Sequence, residues 1–302
     1  MKLWNHYYTP ATTEEAVALL MQYAGEARVI AGGTDLLIDL RAEGGSPYEA
    51  LVDITSIPDL RDIEEVDGYV VIGAGVTHTQ IVKSSLLAQQ ATCLVESCGV
   101  VGGPQVRNVA TLGGNVAHAL PAGDGTTSLV ALNAEAEIIK DGVRQWVPIL
   151  DMYVGPGQSL LTTGKDILLK LRFPLSESTT EATAFSRIMR PQGVALPVLG
   201  CAVWIKLEDD HFVDARVCIA PVAPTPKRIT EVENTLKGKP ATEATIQAAI
   251  ETAKATLNPR TSKYRATAEY RHEMSEVLLR RTLTRAIKRV QTGEVSPEGV
   301  GA

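Results

Sequence analysis

Two pairs of adjacent glycines are the residues of this sequence whose type and spacing most readily suggest chemistry. The first pair lies in residues 31–35 (Ala-Gly-Gly-Thr-Asp), directly after a strand-like run, and the second in residues 110–115 (Ala-Thr-Leu-Gly-Gly-Asn). Glycine lets backbone N–H groups approach an anion closely, and successive N–H groups form a concave anion site. Two such loops facing each other would hold a diphosphate, whereas either loop alone is more simply explained as a tight turn.

Other common catalytic and nucleotide-binding motifs are missing from the sequence. Residues 73–78 (Gly-Ala-Gly-Val-Thr-His) begin like a dinucleotide fingerprint, but they end in histidine and no matching acidic residue follows. No P-loop, nucleophile elbow, catalytic carboxylate pair or Cys-x-x-Cys pair is present. His118 follows the second loop and is equally consistent with a ligand contact and with no role. The pattern favours a protein whose cofactor carries the chemistry.

Composition and charge exclude several classes of protein. The 302 residues are 45% hydrophobic with a net charge of −6, which is typical of a folded domain and unfavourable for nucleic-acid binding. The basic residues between 280 and 289 are interpreted as the end of a helix, where cations complement the dipole. No apolar stretch reaches the roughly 20 residues of a membrane span, and no secretory signal is evident, so we expect a cytoplasmic protein.

Capping signals and periodicity predict an α+β protein in two halves, divided at the polar stretch 174–181. Thr12 and Glu15 form a capping-box pattern at the start of the first helix, and Thr77 caps a short one. The glycine-rich residues 99–125 are predicted to be a functional loop. The predicted strands are 28–31, 50–54, 69–73, 135–139, 167–173, 184–190, 199–207 and 213–220. Further predicted helices are 36–40, 86–99, 230–236, 243–257 and 267–290, the last with Tyr270, Met274, Val277 and Leu278 on one face; residues 128–134 are assigned as helix or strand.

Longer strings extend the glycine motifs over essentially the whole chain. They are 29–37 (Val-Ile-Ala-Gly-Gly-Thr-Asp-Leu-Leu), 105–116, 121–124 (Pro-Ala-Gly-Asp), 155–168 and 262–271. The most specific is Arg-Asn-x-Ala-Thr-x-Gly-Gly-Asn at 107–115, with an aspartate nine residues further on. Together these strings resemble the FAD-binding, or medium, subunits of molybdenum hydroxylases, the family of xanthine dehydrogenase and carbon monoxide dehydrogenase.

This resemblance implies a fold and a division of labour among subunits. Residues 1–176 would form a two-part FAD-binding domain like that of vanillyl-alcohol oxidase, with two α/β subdomains that divide near residues 55–65. Residues 177–302 would form a small α+β domain of antiparallel sheet and helices. FAD would be bound noncovalently, whereas 2Fe-2S clusters and the molybdopterin cofactor would belong to partner subunits only. No catalytic residue and no metal ligand is expected in this chain.

The resemblance also implies which residues contact FAD. The diphosphate would lie between the two glycine loops, Val101 against the flavin ring and Leu168 near the adenine or the ring edge. Asp124 would accept a hydrogen bond from a ribose or ribityl hydroxyl, unless it is the N-cap of a helix over 125–131. Arg187 would replace a lysine that the family often has near the flavin, and Leu120 stands where the family often has serine. The expected cofactor-binding residues are Val29, Ile30, Ala31, Gly32, Gly33, Thr34, Asp35, Leu36, Val101, Thr111, Leu112, Gly113, Gly114, Asn115, Asp124, Leu168 and Arg187.

The implied function is electron transfer within a complex. A large molybdopterin subunit would oxidise the substrate, a small 2Fe-2S subunit would pass the electrons to this FAD, and NAD⁺, oxygen, quinone or another acceptor would receive them. The resemblance suggests a dimer of heterotrimers, with the small subunit covering the region of Val100, Val101 and Pro104. A stand-alone FAD-dependent oxidoreductase and a non-catalytic nucleotide-binding module remain alternatives, and the sequence specifies neither the substrate nor the acceptor.

Overall fold

The computed structural model describes residues 3–42, 48–177, 179–190 and 196–299. These residues form one three-stranded parallel sheet, one five-stranded and one three-stranded antiparallel sheet, and a small two-stranded hairpin. Within these ranges no helix is both long enough and apolar enough to cross a membrane.

A small parallel sheet forms the first part of the chain. Its elements are β1 (His6–Tyr8), α1 (Thr13–Gln22), β2 (Ala27–Ile30), α2 (Leu36–Ala42) and β3 (Ala50–Asp53), with strand order β1-β3-β2. The Thr12 hydroxyl accepts a hydrogen bond from the N–H of Glu15, which confirms the predicted start of α1. The central strand β3 is apolar and buried at Ala50, Leu51 and Val52, as in a sheet covered on both faces.

A five-stranded antiparallel sheet of order β4-β5-β10-β6-β7 follows. Six helices connect β5 to β6 and cover this sheet, and a hairpin of β8 and β9 precedes β10. The strands are β4 (Ile63–Val66), β5 (Tyr69–Gly73), β6 (Glu135–Lys140), β7 (Val143–Pro148), β8 (Tyr153–Gly155), β9 (Gln158–Ser159) and β10 (Ile167–Pro174). The helices are α3 (His78–Lys83), α4 (Ser85–Gln90), α5 (Thr92–Gly99), α6 (Pro104–Arg107), α7 (Leu112–Ala117) and α8 (Asp124–Ala131).

Two predictions for this region are wrong. Residues 86–99 are not one helix, because Ala91 adopts φ −152° and ψ 59° and separates α4 from α5. The N–H of Cys93, in the first turn of α5, donates to the hydroxyl of Thr183 in the second half of the chain. Residues 99–125 are not one loop, because they contain α6, α7 and the start of α8. The glycines of this segment allow close contacts between these short helices. Helix propensity, which depends on neighbouring residues only, does not reveal such contacts.

The second half has the predicted order of strands followed by helices. Strands β11 (Glu181–Met189), β12 (Pro197–Glu208) and β13 (His211–Ala220) form an antiparallel meander, and the predicted hairpin turn lies at Asp209 and Asp210, both with positive φ. The helices α9 (Thr230–Leu236), α10 (Glu243–Thr256) and α11 (Ala268–Thr292) cover the sheet. Ser178, in the predicted boundary stretch, lies outside the described residues.

The buried face of α11 differs from the predicted one. Leu278 is buried, but Tyr270 is 42% exposed. Polar residues occupy part of the buried face, which apolar periodicity alone does not detect. The buried residues of α11 are Arg271, Ser275, Leu278, Leu279, Thr282, Leu283, Ala286, Ile287 and Arg289.

A buried ion pair joins the two halves. Glu96 of α5 and Arg289 of α11 lie 2.6 Å apart and are 1% and 5% exposed. Arg285 also approaches Glu96, at 3.6 Å. The interpretation of the basic residues 280–289 as dipole partners therefore misses the role of two of them. Phe185 of the second half packs into the core of the five-stranded sheet, so the two halves share apolar surface as well.

Candidate functional site

The two glycine loops lie against each other. A Cβ atom on Gly32 would overlap the backbone carbonyl of Val109 and the Cα of Ala110, so only glycine fits at this contact. A second approach joins Asp35 of the first loop to His118 just after the second loop, with Nε2 of His118 3.9 Å from a carboxylate oxygen of Asp35. The two glycine loops are therefore in direct contact in the structure.

The first loop (residues 31–35) presents unused backbone donors. It connects the end of β2 to α2, and at the second glycine the backbone is left-handed, with φ +67° at Gly33. Carbonyls of the loop accept hydrogen bonds from α2, because Leu37 donates to Gly33 and Asp39 donates to Asp35. Among the described residues, no acceptor receives the N–H groups of 32–35. These groups form the kind of concave donor surface that binds an anion.

The second loop (residues 110–115) is held firmly in place. The N–H of His78 donates to the carbonyl of Ala110 and the N–H of Leu112 donates to that of Val76, both at 3.0 Å. A Cβ on Gly113 would overlap the carbonyl of Ala74, so the loop lies directly on the turn after β5. This fixed support explains how a glycine-rich segment keeps one conformation.

The donors of the second loop are only partly available. The N–H of Gly114 donates to the hydroxyl of Thr111, the N-cap of α7, at 2.9 Å. The N–H of Asn115 donates to the Thr111 carbonyl at 3.0 Å. The N–H groups of Gly114 and Asn115 are therefore engaged within the chain, whereas those of residues 32–35 are not. The second loop contributes its shape and its side chains more than its backbone donors.

Asn115 provides an unsatisfied polar atom beside the loops. Its Oδ1 is buried and receives no hydrogen bond from any residue that the structure describes. The same atom lies 2.9 Å from the position that a Cβ on Gly123 would occupy, and so at the start of α8. Buried acceptors without a donor are costly, so this atom is suited to a hydroxyl or amide of a bound molecule.

Asp124 is the first residue of α8, and the N-cap is Gly123 with no side-chain cap. The alternative in which Asp124 caps this helix is therefore wrong. The carboxylate is 6% exposed and accepts a hydrogen bond from Nη1 of Arg187, on β11, at 2.7 Å. Burial raises the pKa of Asp124 from an ordinary value of 3.8 to about 6, although Arg187 and Arg265 both act to lower it.

The remaining residues that were predicted to contact FAD lie around the two glycine loops rather than in them. Val101 is half-buried in the turn after α5, and its carbonyl accepts a hydrogen bond from Arg107 at 3.3 Å. Leu168 is 4% exposed in β10 and packs in the apolar core beneath α7. Val29 and Ile30 belong to β2, which leads into the first loop at Ala31, and Leu36 begins α2.

Sequence reasoning missed two residues next to this site. The charge of Arg265 acts to lower the pKa of the Asp124 carboxyl. In the sequence, the only signal for Arg265 was its place within the string 262–271. His78 is 1% exposed, follows the Thr77 cap, and has an Nδ1 without a partner among the described residues. Burial and the charge of Arg107 lower the pKa of His78 to about 4, so the ring is neutral at pH 7. In the described ranges no three His, Cys, Asp or Glu side chains are grouped as metal ligands would be.

Comparisons with known proteins agree with this architecture. Residues 2–176 match the FAD binding domain in molybdopterin dehydrogenase, and residues 183–286 match the CO dehydrogenase flavoprotein C-terminal domain. The xanthine dehydrogenase FAD-binding subunit of Escherichia coli O157:H7 is 30% identical over 282 residues, which are 93% of this chain and 95% of that protein.

Carbon monoxide dehydrogenases are similar in sequence and in structure. The medium chain from Hydrogenophaga pseudoflava is 31% identical over 93% of this chain and 96% of its own length. A solved structure of carbon monoxide dehydrogenase from the same organism superimposes with a TM-score of 0.87, covering 94% of this chain and 97% of that one. The Cu,Mo-CO dehydrogenase structure gives a TM-score of 0.88 at 29% identity, covering 96% and 99% of the two chains. This chain is thus an oxidoreductase subunit that belongs to the FAD-binding, or medium, subunits of the xanthine dehydrogenase and carbon monoxide dehydrogenase family.

Proposed function

We propose that this chain carries FAD as the electron-transfer subunit of a molybdenum hydroxylase complex. In this proposal a small subunit with 2Fe-2S clusters delivers electrons to the flavin, and a large molybdopterin subunit oxidises the substrate. NAD⁺, oxygen, quinone or another carrier is the final acceptor. The protomers assemble as a dimer of heterotrimers in the cytoplasm, which agrees with four buried, unpaired cysteines.

The observation that carries the proposal is the contact of the first loop with the second at Gly32 and Val109. It places the free N–H groups of 32–35 at the junction of the two loops. A diphosphate bound there would be held by backbone donors at the carboxyl end of a parallel strand, where nucleotides commonly bind. The groups that the site offers therefore fit a dinucleotide.

The other side chains of the site fit the rest of FAD. FAD, when bound, supplies the capacity to accept and release electrons. Asn115 offers Oδ1 as an acceptor, and Asp124 offers a carboxylate oxygen that Arg187 does not use. Both are suited to ribityl or ribose hydroxyls, and Val101 offers an apolar contact at the edge of the site. We place the boundary between the FAD-binding domain and the C-terminal domain at residues 176/177.

Exposed apolar residues around the second loop support a covering subunit. Val109 and Leu120, on either side of the second loop, are 49% and 40% exposed. Pro104 is exposed, whereas Val100 and Val101 are half-buried. The small subunit would bury these residues and bring its donor cluster near the flavin.

A pair of glycine substitutions tests the flavin site. Gly33→Ala strains a left-handed residue inside the first loop, and relief of that strain moves the free N–H groups. Gly142→Ala is the matched control, because its φ of +80° is similar and a Cβ there meets nothing within 4 Å, in the turn between β6 and β7. We expect the wild type and the Gly142→Ala variant to bind FAD, measured by absorbance after gel filtration, and Gly33→Ala to lose most of it.

Equal flavin content in both variants would exclude the first loop as the diphosphate site. Acid denaturation should release all the flavin, because the binding is noncovalent. Native co-purification with measurement of iron, molybdenum and partner masses tests the complex. A flavin-containing chain that hydroxylates a substrate alone, without iron or molybdenum, would instead support a stand-alone oxidoreductase.

A further inference from the structure

A groove of about 520 Å³ opens where the two halves of the chain meet. Its lining includes Leu132, Pro174 and Leu175 from the first half and Trp204, Val213 and Arg216 from the second. A Cβ on Gly200 of β12 would lie 3.7 Å from Oδ1 of Asp124, and Trp204 follows four residues later, about 13 Å along the strand. The groove is therefore separate from the region of Asp124 and the glycine loops.

A stacked arginine and tryptophan lie together in this groove. The guanidinium of Arg216 lies 3.8 Å from the centre of the Trp204 ring, and the two residues are directly opposite each other in the pairing of β12 with β13. Trp204 is buried and Arg216 is half-buried. The ring covers one face of the guanidinium, whereas the N–H groups point outward in the guanidinium plane. In the described part of the chain these N–H groups have no acceptor.

The carboxylates whose charges act on Arg216 are each paired with another cation. These pairs are Lys237–Asp214 at 3.6 Å, Lys206–Glu181 at 3.5 Å and Arg228–Glu233 at 2.7 Å. Burial and the charge of Arg228 lower the pKa of Arg216, against the attraction of these three carboxylates. A half-buried cation with unused donors is suited to an anionic ligand.

A second stacked arginine in the same chain shows what the Arg216 site lacks. The guanidinium of Arg172 lies 4.1 Å from the centre of the Trp146 ring, and its Nε donates to a carboxylate oxygen of Glu135 at 2.7 Å. Arg172 thus has both an aromatic ring and a carboxylate, whereas Arg216 has only the ring. A carboxylate from a bound molecule would complete the same arrangement at Arg216.

The size and charge of the groove favour a small, singly charged molecule with an apolar part. Its volume lies within the range of roughly 300–1,000 Å³ that is typical of small-molecule sites. Pro174, Leu175 and Val213 offer apolar surface. Carboxylates also line the groove, among them the exposed Glu208, so a doubly charged phosphate would be repelled more strongly than a carboxylate.

We propose that this groove binds a small organic carboxylate through paired hydrogen bonds from Arg216, with the apolar part of the ligand against Leu175 and Val213. The planar guanidinium matches a carboxylate in a two-point contact. The proposal is independent of FAD and gives the chain a second ligand site. Because the ligand contacts both halves, its binding also stabilises their docked arrangement.

The test is calorimetry of the full chain with 2-naphthoate as the probe. The neutral 2-naphthamide has nearly the same shape without the charge, so we expect the wild type to bind it at least about 10-fold more weakly. We expect 2-naphthyl phosphate, which carries the additional charge, to bind more weakly than 2-naphthoate as well. Saturating 2-naphthoate should raise the midpoint of thermal unfolding, and 2-naphthamide at the same concentration should not.

A pair of arginine substitutions locates the site. Arg216→Met keeps an apolar stem against Trp204 but removes the donors, so it should weaken 2-naphthoate binding roughly 10- to 150-fold. Arg172→Met is the matched control, because it makes the same change at the other stacked arginine, and it should bind 2-naphthoate like the wild type. Circular dichroism checks that both variants are folded, and both should retain FAD.

The possible outcomes separate this proposal from the proposed function. A wild type that does not bind 2-naphthoate, or that binds 2-naphthamide equally well, refutes the carboxylate site. Equal losses in Arg216→Met and Arg172→Met refute its location. Tighter binding of 2-naphthyl phosphate would show that the site takes phosphates instead. If Arg216→Met binds 2-naphthoate normally but no longer co-purifies with partner subunits, the groove is a protein interface and the proposal is wrong. A chain that binds no FAD but still distinguishes 2-naphthoate from 2-naphthamide refutes the proposed function and supports this inference.

Discussion

Replacement of Arg289 by methionine should destabilise the protein more than any exposed substitution on α11. Arg289 donates to Glu96 at 2.6 Å, to the carbonyl of Thr183 at 2.7 Å and to the carbonyl of Ser296 at 2.8 Å. Methionine fills a similar volume but donates nothing, so the carboxylate of Glu96 keeps its charge inside the junction of the two halves. Removal of one partner of a buried ion pair costs roughly 3–5 kcal/mol.

The partners that Glu96 would keep in this variant favour the lower end of the range of destabilisation. Glu96 would still accept hydrogen bonds from the N–H of Phe185 at 2.7 Å and of Glu298 at 2.9 Å. The guanidinium of Arg285 would remain 3.6 Å away. We therefore expect a loss of about 3 kcal/mol. With an m value of about 3 kcal/mol/M, this loss lowers the urea midpoint by about 1 M.

The assay is equilibrium unfolding of the full chain in urea, followed by circular dichroism. Arg281→Met is the control, because an exposed substitution on the same helix should change stability by less than about 0.5 kcal/mol. Glu96→Gln removes the buried charge, so the double variant should be less destabilised than the sum of the single variants by roughly 1–3 kcal/mol. Equal urea midpoints for Arg289→Met and Arg281→Met would refute the conclusion that the Glu96–Arg289 ion pair stabilises the junction of the two halves. Strictly additive losses of stability for Arg289→Met and Glu96→Gln would refute it as well.

Two further predictions concern the candidate site itself. Because burial raises the pKa of Asp124 to about 6 in the folded chain, the folded state binds more protons than the unfolded state between pH 4 and pH 6. The free energy of unfolding of the flavin-free chain should therefore fall by about 3 kcal/mol as the pH rises through that window. Asp124→Asn should remove this pH dependence of the free energy of unfolding. If the variant keeps the pH dependence of the wild type, another group causes it. Thr111→Val removes the N-cap of α7 and should cost roughly 0.5–2 kcal/mol in thermal unfolding. The exposed Thr230 serves as its control, and an equal loss in Thr230→Val would contradict a capping role.

Local signals predicted much of the fold because they act over a few residues. The hydroxyls of Thr12 and Thr77 accept from backbone N–H groups three residues on, as the sequence pattern requires. The helix Thr230–Leu236 was predicted with its observed bounds, since periodicity and length agree. The break at Ala91 was not predictable, because no glycine or proline marks it.

The electrostatic partners of the site lay outside the reach of sequence reasoning. Asp124 and Arg187 are 63 positions apart, and Glu96 and Arg289 are 193 apart. Neither separation along the sequence produces a periodic pattern, because both pairs form only when the two halves of the chain dock. The engaged N–H of Gly114 is a different case, because the Thr-x-x-Gly spacing of a helix cap was visible but the helix was predicted as a loop.

The Asp124–Arg187 pair makes the second half of the chain part of the candidate site. Arg187 donates to Oδ2 of Asp124, so in the described residues Oδ1 has no donor. A carboxylate has about four acceptor positions, so a ligand hydroxyl can bind Oδ1 without displacing the arginine. The guanidinium also favours the charged carboxylate, against the burial that raises its pKa to about 6. Arg187 thus orients the Asp124 carboxylate and favours its charged form, so docking of the second half shapes the candidate site in the first.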